Sequence, residues 1–157
     1  MNNVHLGLVL VLVSCSADQE VIPPGWKTID AKYFEFQLPP GMEHDTKSFA
    51  FDSFARSYES ESMKLGFDYG RYSDSLDLTY RSDGLSDVVR APEVIDGHAA
   101  TLVSYTTEKP TYFMAVHFPE VAQSSHGVIK LTMHCSYKSE SDHAVVERIL
   151  KSIKFRR

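Results

Sequence analysis

The residues best suited to binding chemistry lie in one polar stretch, GFDYGRYSDSLD, at positions 66–77. Asp68, Asp74 and Asp77 supply carboxylate oxygens, the kind of ligand that calcium prefers. The stretch contains neither the D-x-[DN]-x-[DN]-G run of an EF-hand loop nor its distant glutamate, so an EF-hand is excluded. The three aspartates are therefore candidates for a looser cation site, and a turn between two strands is the alternative.

The same stretch holds two tyrosines and an arginine beside its acidic residues. Tyrosine and arginine are enriched at the positions that contribute most to binding in protein interfaces. Tyr69, Arg71 and Tyr72 are therefore the predicted interface residues, and the predicted partner is a protein of the cell envelope.

The sequence contains none of several common catalytic or metal-binding motifs. It contains no G-x-S-x-G elbow, no P-loop, no H-E-x-x-H pair and no paired-cysteine zinc pattern. Among the scattered histidines, His117 and His134 fall on predicted strands, and a metal site needs three or four converging ligands. We therefore predict no catalytic residue, no metal and no cofactor. An enzyme with a dispersed site that uses His117 or His134 is the open alternative.

The N-terminal residues predict where the protein is located. An apolar run from Leu6 to Val13 falls within the roughly 7 to 15 residues of a secretory h-region and below the ~18 of a membrane span. The run ends in LVSC, which resembles the lipobox at which bacterial lipoprotein precursors are diacylated on the cysteine and then cleaved. This resemblance implies that Cys15 attaches the protein to a membrane.

The leader also sets the expected boundaries. We expect a signal peptide over residues 1–14, a lipidated tether over 15–24 and a single domain over 25–157. Because residues 1–14 contain no Lys or Arg, ordinary secretion and a buried strand of a cytosolic domain stay open as alternatives. Ser16 resembles the residue that follows the cysteine in lipoproteins passed to the outer membrane. The predicted location is therefore the outer membrane of a bacterial envelope, on its periplasmic side.

Net charge and cysteine content bear on the kind of partner and on disulfide formation. The chain has 16 Lys and Arg against 21 Asp and Glu, a formal net charge of −5, which disfavours a nucleic acid partner. If Cys15 is acylated, Cys135 has no disulfide partner. Alternation in VIKLTMHC places Cys135 on the same face as Leu131 and Met133. Cys135 is therefore predicted to be an inert thiol in the core.

Alternating apolar and polar residues predict an antiparallel sheet. The first such segment places Phe34, Phe36 and Leu38 on one inward face. The alternating segments are 33–38, 48–58, 63–69, 76–80, 99–105, 112–118 and 128–136.

Turn residues predict how some of these strands connect. Asp96 and Gly97 form the preferred pair for a type I′ hairpin, because both positions tolerate a positive φ. Pro92 lacks an N–H group, so the first arm of that hairpin is predicted to be short or to lie at a sheet edge. Asp83 and Gly84 predict another turn.

The hydrophobic period changes near the C-terminus and predicts an amphipathic helix. Its apolar stripe consists of Ala144, Val145, Val146, Ile149, Leu150 and Ile153. Ser139 or Ser141 is suited to cap the helix, while Asp142 and Lys151 lie at the ends of the helix dipole that favour their charges. The helix is expected to pack across the sheet and to lead into a short last strand over 153–155.

Several of these features together resemble one family. The lipobox, an opening Trp26 followed by FEFQLPPGM, a long antiparallel series and a closing ILKSIKF are similar to the PsbP-like fold of small bacterial lipoproteins, over residues 25–155. The resemblance implies an antiparallel sheet covered by helices, although little helical periodicity precedes Ser139. The predicted fold class is α+β, a single domain of mainly antiparallel sheet with a packed C-terminal amphipathic helix.

The function implied by the anchor and the resemblance is a non-enzymatic binding or accessory module for an envelope protein. One version is an immunity protein that blocks a toxin in the periplasm. The alternative is a periplasmic protein that binds a small ligand or a cation around Asp68, Asp74 and Asp77. A fold by itself does not select among these functions.

Overall fold

The computed structural model describes residues 22–46, 54–78, 84–107 and 111–156. The leader and Cys15 lie outside the described residues. A 3-10 turn, Glu140–Asp142, precedes the helix. The elements in the described part are β1 Lys27–Asp30, β2 Phe34–Leu38, β3 Glu43–Asp45, β4 Phe54–Glu59, β5 Met63–Gly70, β6 Leu85–Ile95, β7 His98–Thr107, β8 Tyr112–Ser124, β9 Gly127–Tyr137, α1 His143–Lys151 and β10 Lys154–Phe155.

These strands form two sheets in which every pairing is antiparallel. The larger sheet has seven strands in the order β3-β4-β5-β9-β8-β7-β6, and the smaller has the order β1-β2-β10. Lys154 pairs with Glu35, and Phe155 pairs with Phe34. The smaller sheet therefore joins the N-terminal and C-terminal parts of the domain.

One face of the seven-stranded sheet forms the main core. Alternation along β5, β8 and β9 points Leu65, Met114 and Met133 to this face, where each is at most 1% exposed. Phe34, Phe36 and Leu38 from the smaller sheet pack against it and are fully buried, as their alternation predicted. The domain is therefore a layered α+β structure, with α1 and the smaller sheet on the same face of the larger sheet.

Cys135 lies in this core, and the prediction of a buried thiol is confirmed. Its exposed fraction is 0%, and burial raises its pKa to about 12. The thiol therefore stays protonated and unreactive near neutral pH.

The C-terminal helix α1 forms where the 3.6-residue period predicted it. Val146, Ile149 and Leu150 are fully buried against the larger sheet and β2. Lys151 Nζ lies 2.9 Å from Glu147 and 3.0 Å from Glu93 of β6, and these partners raise the pKa of Lys151. No helix of the described residues is both long enough and apolar enough to cross a membrane.

The predicted cap lies one element earlier than α1. Ser139 Oγ accepts a hydrogen bond from the Ser141 amide at 3.3 Å and thereby caps the 3-10 turn. Asp142, at the N-cap of α1, makes no capping bond with its side chain. Lys154 and Phe155 form the predicted last strand.

The turn between β6 and β7 confirms the predicted hairpin. Asp96 and Gly97 have φ values of +49° and +80°, the left-handed values that a type I′ turn requires. Pro92 lies on β6, which is the edge strand of the larger sheet. Asp96 also accepts a hydrogen bond from the Phe155 amide at 2.7 Å. This turn therefore helps to hold the last strand of the chain.

The strand predicted over residues 76–80 is wrong for its described part. Residues 73–78 form neither helix nor strand, and Leu76 has a left-handed φ of +56°. The Asp74 side chain accepts a hydrogen bond from the Leu76 amide at 2.9 Å, which forms a local turn. The apolar alternation reflects packing instead of pairing, because Leu76 joins Val103, Tyr105 and Ala115 on the second face of the sheet.

We expect Ile149→Ala to lower the free energy of unfolding by about 2–5 kcal/mol, because it removes buried methyl groups beneath α1 and leaves a cavity. Urea denaturation followed by far-UV circular dichroism measures the change. Val94→Ala is the matched control, since Val94 is 73% exposed. Equal losses in the two variants would contradict the assignment of α1 to the core.

Candidate functional site

An aromatic and basic surface lies at the end of the larger sheet where β4 begins and β5 ends. Phe54 and Tyr69 pair across these two strands, and Tyr33 comes from the turn that precedes β2. We name this surface the aromatic-basic rim, and its members are Lys32, Tyr33, Phe54, Arg56, Tyr69 and Arg156.

The aromatic members of the rim contact one another directly. The rings of Tyr33 and Tyr69 are stacked with centroids 4.6 Å apart and planes 7° apart. Phe54 meets Tyr33 edge to face at 5.9 Å. Burial, followed by the neighbouring Tyr33, raises the pKa of Tyr69. Tyr33 is 39% exposed, so the stack presents one aromatic surface to solvent.

Cationic groups flank these rings. Lys32 Nζ lies 4.9 Å from the centre of the Tyr33 ring, and the guanidinium carbon of Arg56 lies 4.9 Å from the centre of the Phe54 ring. Such cation-π contacts contribute about 0.5–1 kcal/mol at exposed sites. They hold two long side chains in place beside the aromatic stack.

Asp30 contacts both arginines of the rim and the backbone amide of Lys32. Its carboxylate lies 2.6 Å from Arg156 and accepts a hydrogen bond from the Lys32 amide at 2.8 Å. Its carbonyl accepts a hydrogen bond from Arg56 at 3.5 Å. The Lys32 amide and then Arg156 hold the pKa of Asp30 below its usual value. The rim thus carries three cations beside the carboxylate of Asp30, on a chain whose net charge is −5.

The three interface residues predicted from the sequence have different neighbours. Tyr69 belongs to the rim. Arg71 packs on Tyr72, 5.1 Å from its ring centre, and donates a hydrogen bond to the His126 carbonyl at 3.0 Å. Arg71 thereby ties the end of β5 to the tip of the β8–β9 hairpin, while Tyr72 is 71% exposed.

The sequence did not indicate the other members of the rim. Tyr33 and Arg156 lie far apart along the chain, and no local pattern marks them as neighbours. They meet because β10 pairs with β2, which places the Arg156 amide 3.1 Å from the Tyr33 carbonyl. Aromatic residues next to cationic residues at strand ends could have indicated the rim only if the pairing of β10 with β2 had been known.

The three aspartates predicted as cation ligands do not form a ligand set. The carboxylate of Asp74 is used in the turn with Leu76, and Asp77 lies beside Arg90 in a shallow groove. A buried carboxylate oxygen of Asp68, Oδ1, has no hydrogen-bond partner. Across the four described ranges, no three His, Cys, Asp or Glu side chains converge to hold a metal ion.

The polar residues around this segment instead form a buried hydrogen-bond network centred on Thr132. Its hydroxyl donates to the Asp74 carbonyl at 2.5 Å and lies 2.8 Å from both Ser73 Oγ and His117 Nδ1. Because Thr132 gives its single proton to Asp74, it accepts a hydrogen bond from the Nδ1–H group of His117. The network holds segment 73–78 on the second face of the sheet.

The two histidines predicted on strands therefore have separate contacts. His117 is 8% exposed within the Thr132 network. The ring of His134 is stacked on Phe113 with centroids 5.8 Å apart and covers Gly66, where a Cβ atom would lie 2.9 Å from His134 Nε2. On the second face, His117 thus belongs to the hydrogen-bond network, whereas His134 packs on Phe113 and Gly66.

The architecture is that of the PsbP-like fold, as the sequence resemblance implied. Eleven solved chains match it. One is the solution structure of cyanobacterial PsbP (CyanoP) from Synechocystis sp. PCC 6803, which superposes with a TM-score of 0.55 at 14% sequence identity and covers 92% of this chain and 99% of that chain. At this identity the likeness concerns the fold alone. No protein-family model matches the sequence, and no curated protein matches it.

We expect the free energy of unfolding to decrease as the pH falls below about 6.5, the ordinary pKa of histidine. Burial and then Lys130 lower the pKa of His117 in the folded protein, and Asp74 opposes them only in part. The unfolded chain therefore takes up the proton first as the pH falls, while the contribution of His117 is complete above its unfolded pKa. Urea denaturation between pH 8 and 5 measures the slope.

His117→Gln should make this slope shallower, because it removes the buried titrating group. His126→Gln is the matched control, since His126 lies exposed at the hairpin tip, and an equal change of slope in this variant would contradict the assignment to His117. An unaltered slope in His117→Gln would assign the pH dependence to other groups.

Proposed function

We propose that this protein is a binding or accessory module of the bacterial cell envelope and that its aromatic-basic rim contacts a protein partner. The observation that carries the proposal is the half-exposed stack of Tyr33 on Tyr69, flanked by Lys32 and Arg56. Tyrosine and arginine side chains that are already packed lose little conformational freedom on binding. The rim therefore has both the composition and the order of an interface anchor.

Charge favours one kind of partner surface. The rim carries three cations beside the one carboxylate of Asp30, whereas the whole chain carries a formal charge of −5. A basic patch on an acidic protein steers an acidic surface toward itself and repels that surface elsewhere. The partner proposed here presents acidic side chains around an apolar centre.

The anchor would hold the rim near a partner in the membrane. The described chain begins at Ile22, which lies beside Thr28, Glu35 and Lys154 of the smaller sheet. The same sheet carries Tyr33 and Arg156 at its strand ends. A fully extended chain from an acylated Cys15 to Ile22 spans at most about 25 Å. The proposed partner is accordingly an envelope protein at the periplasmic side of the outer membrane.

A photoreactive phenylalanine analogue placed at Tyr33 should form a covalent adduct with one envelope protein, because Tyr33 is the exposed ring of the rim. Immunoblotting of cross-linked envelopes measures the adduct. Arg56→Ala in the same chain should reduce its yield, since the variant removes a flanking cation. The analogue at Val94, which is 73% exposed on another surface, is the control.

Adducts from Tyr72 but none from Tyr33 would place the interface at the hairpin tip and contradict the proposal.

The identity of the cross-linked partner tests whether the protein is an immunity protein. If the captured protein is a toxin that acts in the periplasm, cells that lack this chain should be killed by it. Survival of those cells would remove the immunity version.

We also expect mass spectrometry to find the mature N-terminus at a lipid-modified Cys15. Cys15→Ser should move the protein from the membrane fraction to the soluble fraction, because no acyl group can be attached. Cys135→Ser is the matched control, since Cys135 is buried and its replacement should leave the protein in the membrane fraction. An intact Met1 in the membrane-free fraction would contradict the lipid anchor.

A further inference from the structure

A recess lies at the end of the larger sheet that is opposite to the rim. It is formed where β7 and β9 end, where β8 begins and where the 3-10 turn leads into α1. Its volume is about 380 Å³, within the range of sites that hold small organic groups. We name it the β9-end cleft, and the lining residues used below are Asp87, Tyr112, Tyr137, Glu140 and His143.

The wall of the β9-end cleft is aromatic and firmly held. Tyr112 and Tyr137 are cross-strand partners whose rings are stacked with centroids 5.5 Å apart and planes 19° apart. The hydroxyl of Tyr137 lies 3.0 Å from His143 Nδ1, so the first residue of α1 fixes the ring. Tyr112 remains partly exposed. The cleft therefore presents an ordered ring face to solvent.

Two carboxylates border this wall. Asp87 lies in the bulge between Ser86 and Val89 of β6, with a φ of +55°, and bulges often redirect a side chain beside a binding site. Glu140 comes from the 3-10 turn on the other side. Both are exposed, and among the described residues that line the cleft there is no lysine or arginine.

The electrostatics of Tyr137 agree with a negative cleft. Burial raises the pKa of Tyr137 to about 12, and its neighbours Cys135 and Tyr112 and then the carboxylates Asp142 and Glu140 add to the increase. The hydroxyl consequently stays neutral and keeps its hydrogen bond with His143. An anion in the cleft would meet the same carboxylates and be repelled.

We propose that the β9-end cleft binds an organic cation, an ammonium or guanidinium group, against the partly exposed ring of Tyr112, which stacks on the buried Tyr137, with Asp87 and Glu140 as counter-charges. Aromatic faces attract cations through their quadrupole, and carboxylates form charge-assisted hydrogen bonds with N–H donors. This site is separate from the rim and goes beyond the proposed function. The cation could belong to a free amine or to a lysine or arginine side chain of a peptide.

Calorimetric titration of the full chain at 0.15 M salt tests the site, because exposed charges are largely screened there. The probes are spermidine for a free amine and the peptide Gly-Lys-Gly for a side-chain ammonium, with citrate as the anionic control. We expect at least one cationic probe to bind and citrate not to bind. Binding of spermidine alone assigns a free amine, and binding of the peptide alone assigns a protein side chain.

Two carboxylate variants and two aromatic variants localise the binding. The double variant Asp87→Asn with Glu140→Gln should lower the affinity for the cation by about tenfold or more. Glu43→Gln with Glu59→Gln removes as many carboxylates from an exposed pair on β3 and β4 and should leave the affinity unchanged. Tyr112→Leu should weaken binding while Tyr112→Phe preserves it, which keeps the test decisive if the charge variant does not fold. Failure of both cationic probes, or equal weakening in the control pair, would overturn the proposal.

Discussion

The apolar face of the seven-stranded sheet is the constraint on which the rest of the structure depends. Leu65 and Met133 project their side chains from one side of paired strands, and burial removes that apolar face from water. The elements that cover it come from both ends of the domain, since β2 and α1 lie on the same face. The one cysteine of the described part is a buried thiol, so hydrophobic burial stabilises this part of the chain without a disulfide.

Covering one face from two chain ends also creates the rim. Once β10 pairs with β2, Arg156 follows directly and reaches Asp30 at the turn before β2. Asp30 then holds the Lys32 amide and Arg56 as well. The order of the candidate interface is thus a consequence of core formation, because the pairing that closes the core also assembles the cations.

The antiparallel arrangement gives the domain two chemically different ends. β9 runs from the rim side, where Leu131 pairs with Tyr69, to the β9-end cleft, where Tyr137 pairs with Tyr112. The rim collects cations around aromatic rings, whereas the cleft collects carboxylates around them. Charge of opposite sign at opposite ends favours binding groups of opposite charge, so the two surfaces need not compete for one ligand.

Local patterns determined much of the architecture. The period-two alternation placed Phe34 and Cys135 in the core, the Asp96-Gly97 pair specified its hairpin, and the 3.6-residue period specified α1, because each depends on residues close in sequence. The order of these elements and their residue patterns were also enough to indicate a resemblance to the PsbP-like fold. The prediction of a strand through Leu76 was wrong because packing on a sheet face and pairing within a sheet produce the same alternation.

The tertiary structure alone decided which polar residues meet. Tyr69 was predicted at an interface, but its partner Tyr33 and the cations beside it are brought together by strand pairing over long sequence distances. The aspartates of the 66–77 stretch looked like a ligand set in sequence, yet Asp74 is used in a turn and Asp77 lies beside Arg90. A sequence specifies which side chains alternate and where turns occur, whereas a site depends on register, and register is set only when the sheet closes over its core.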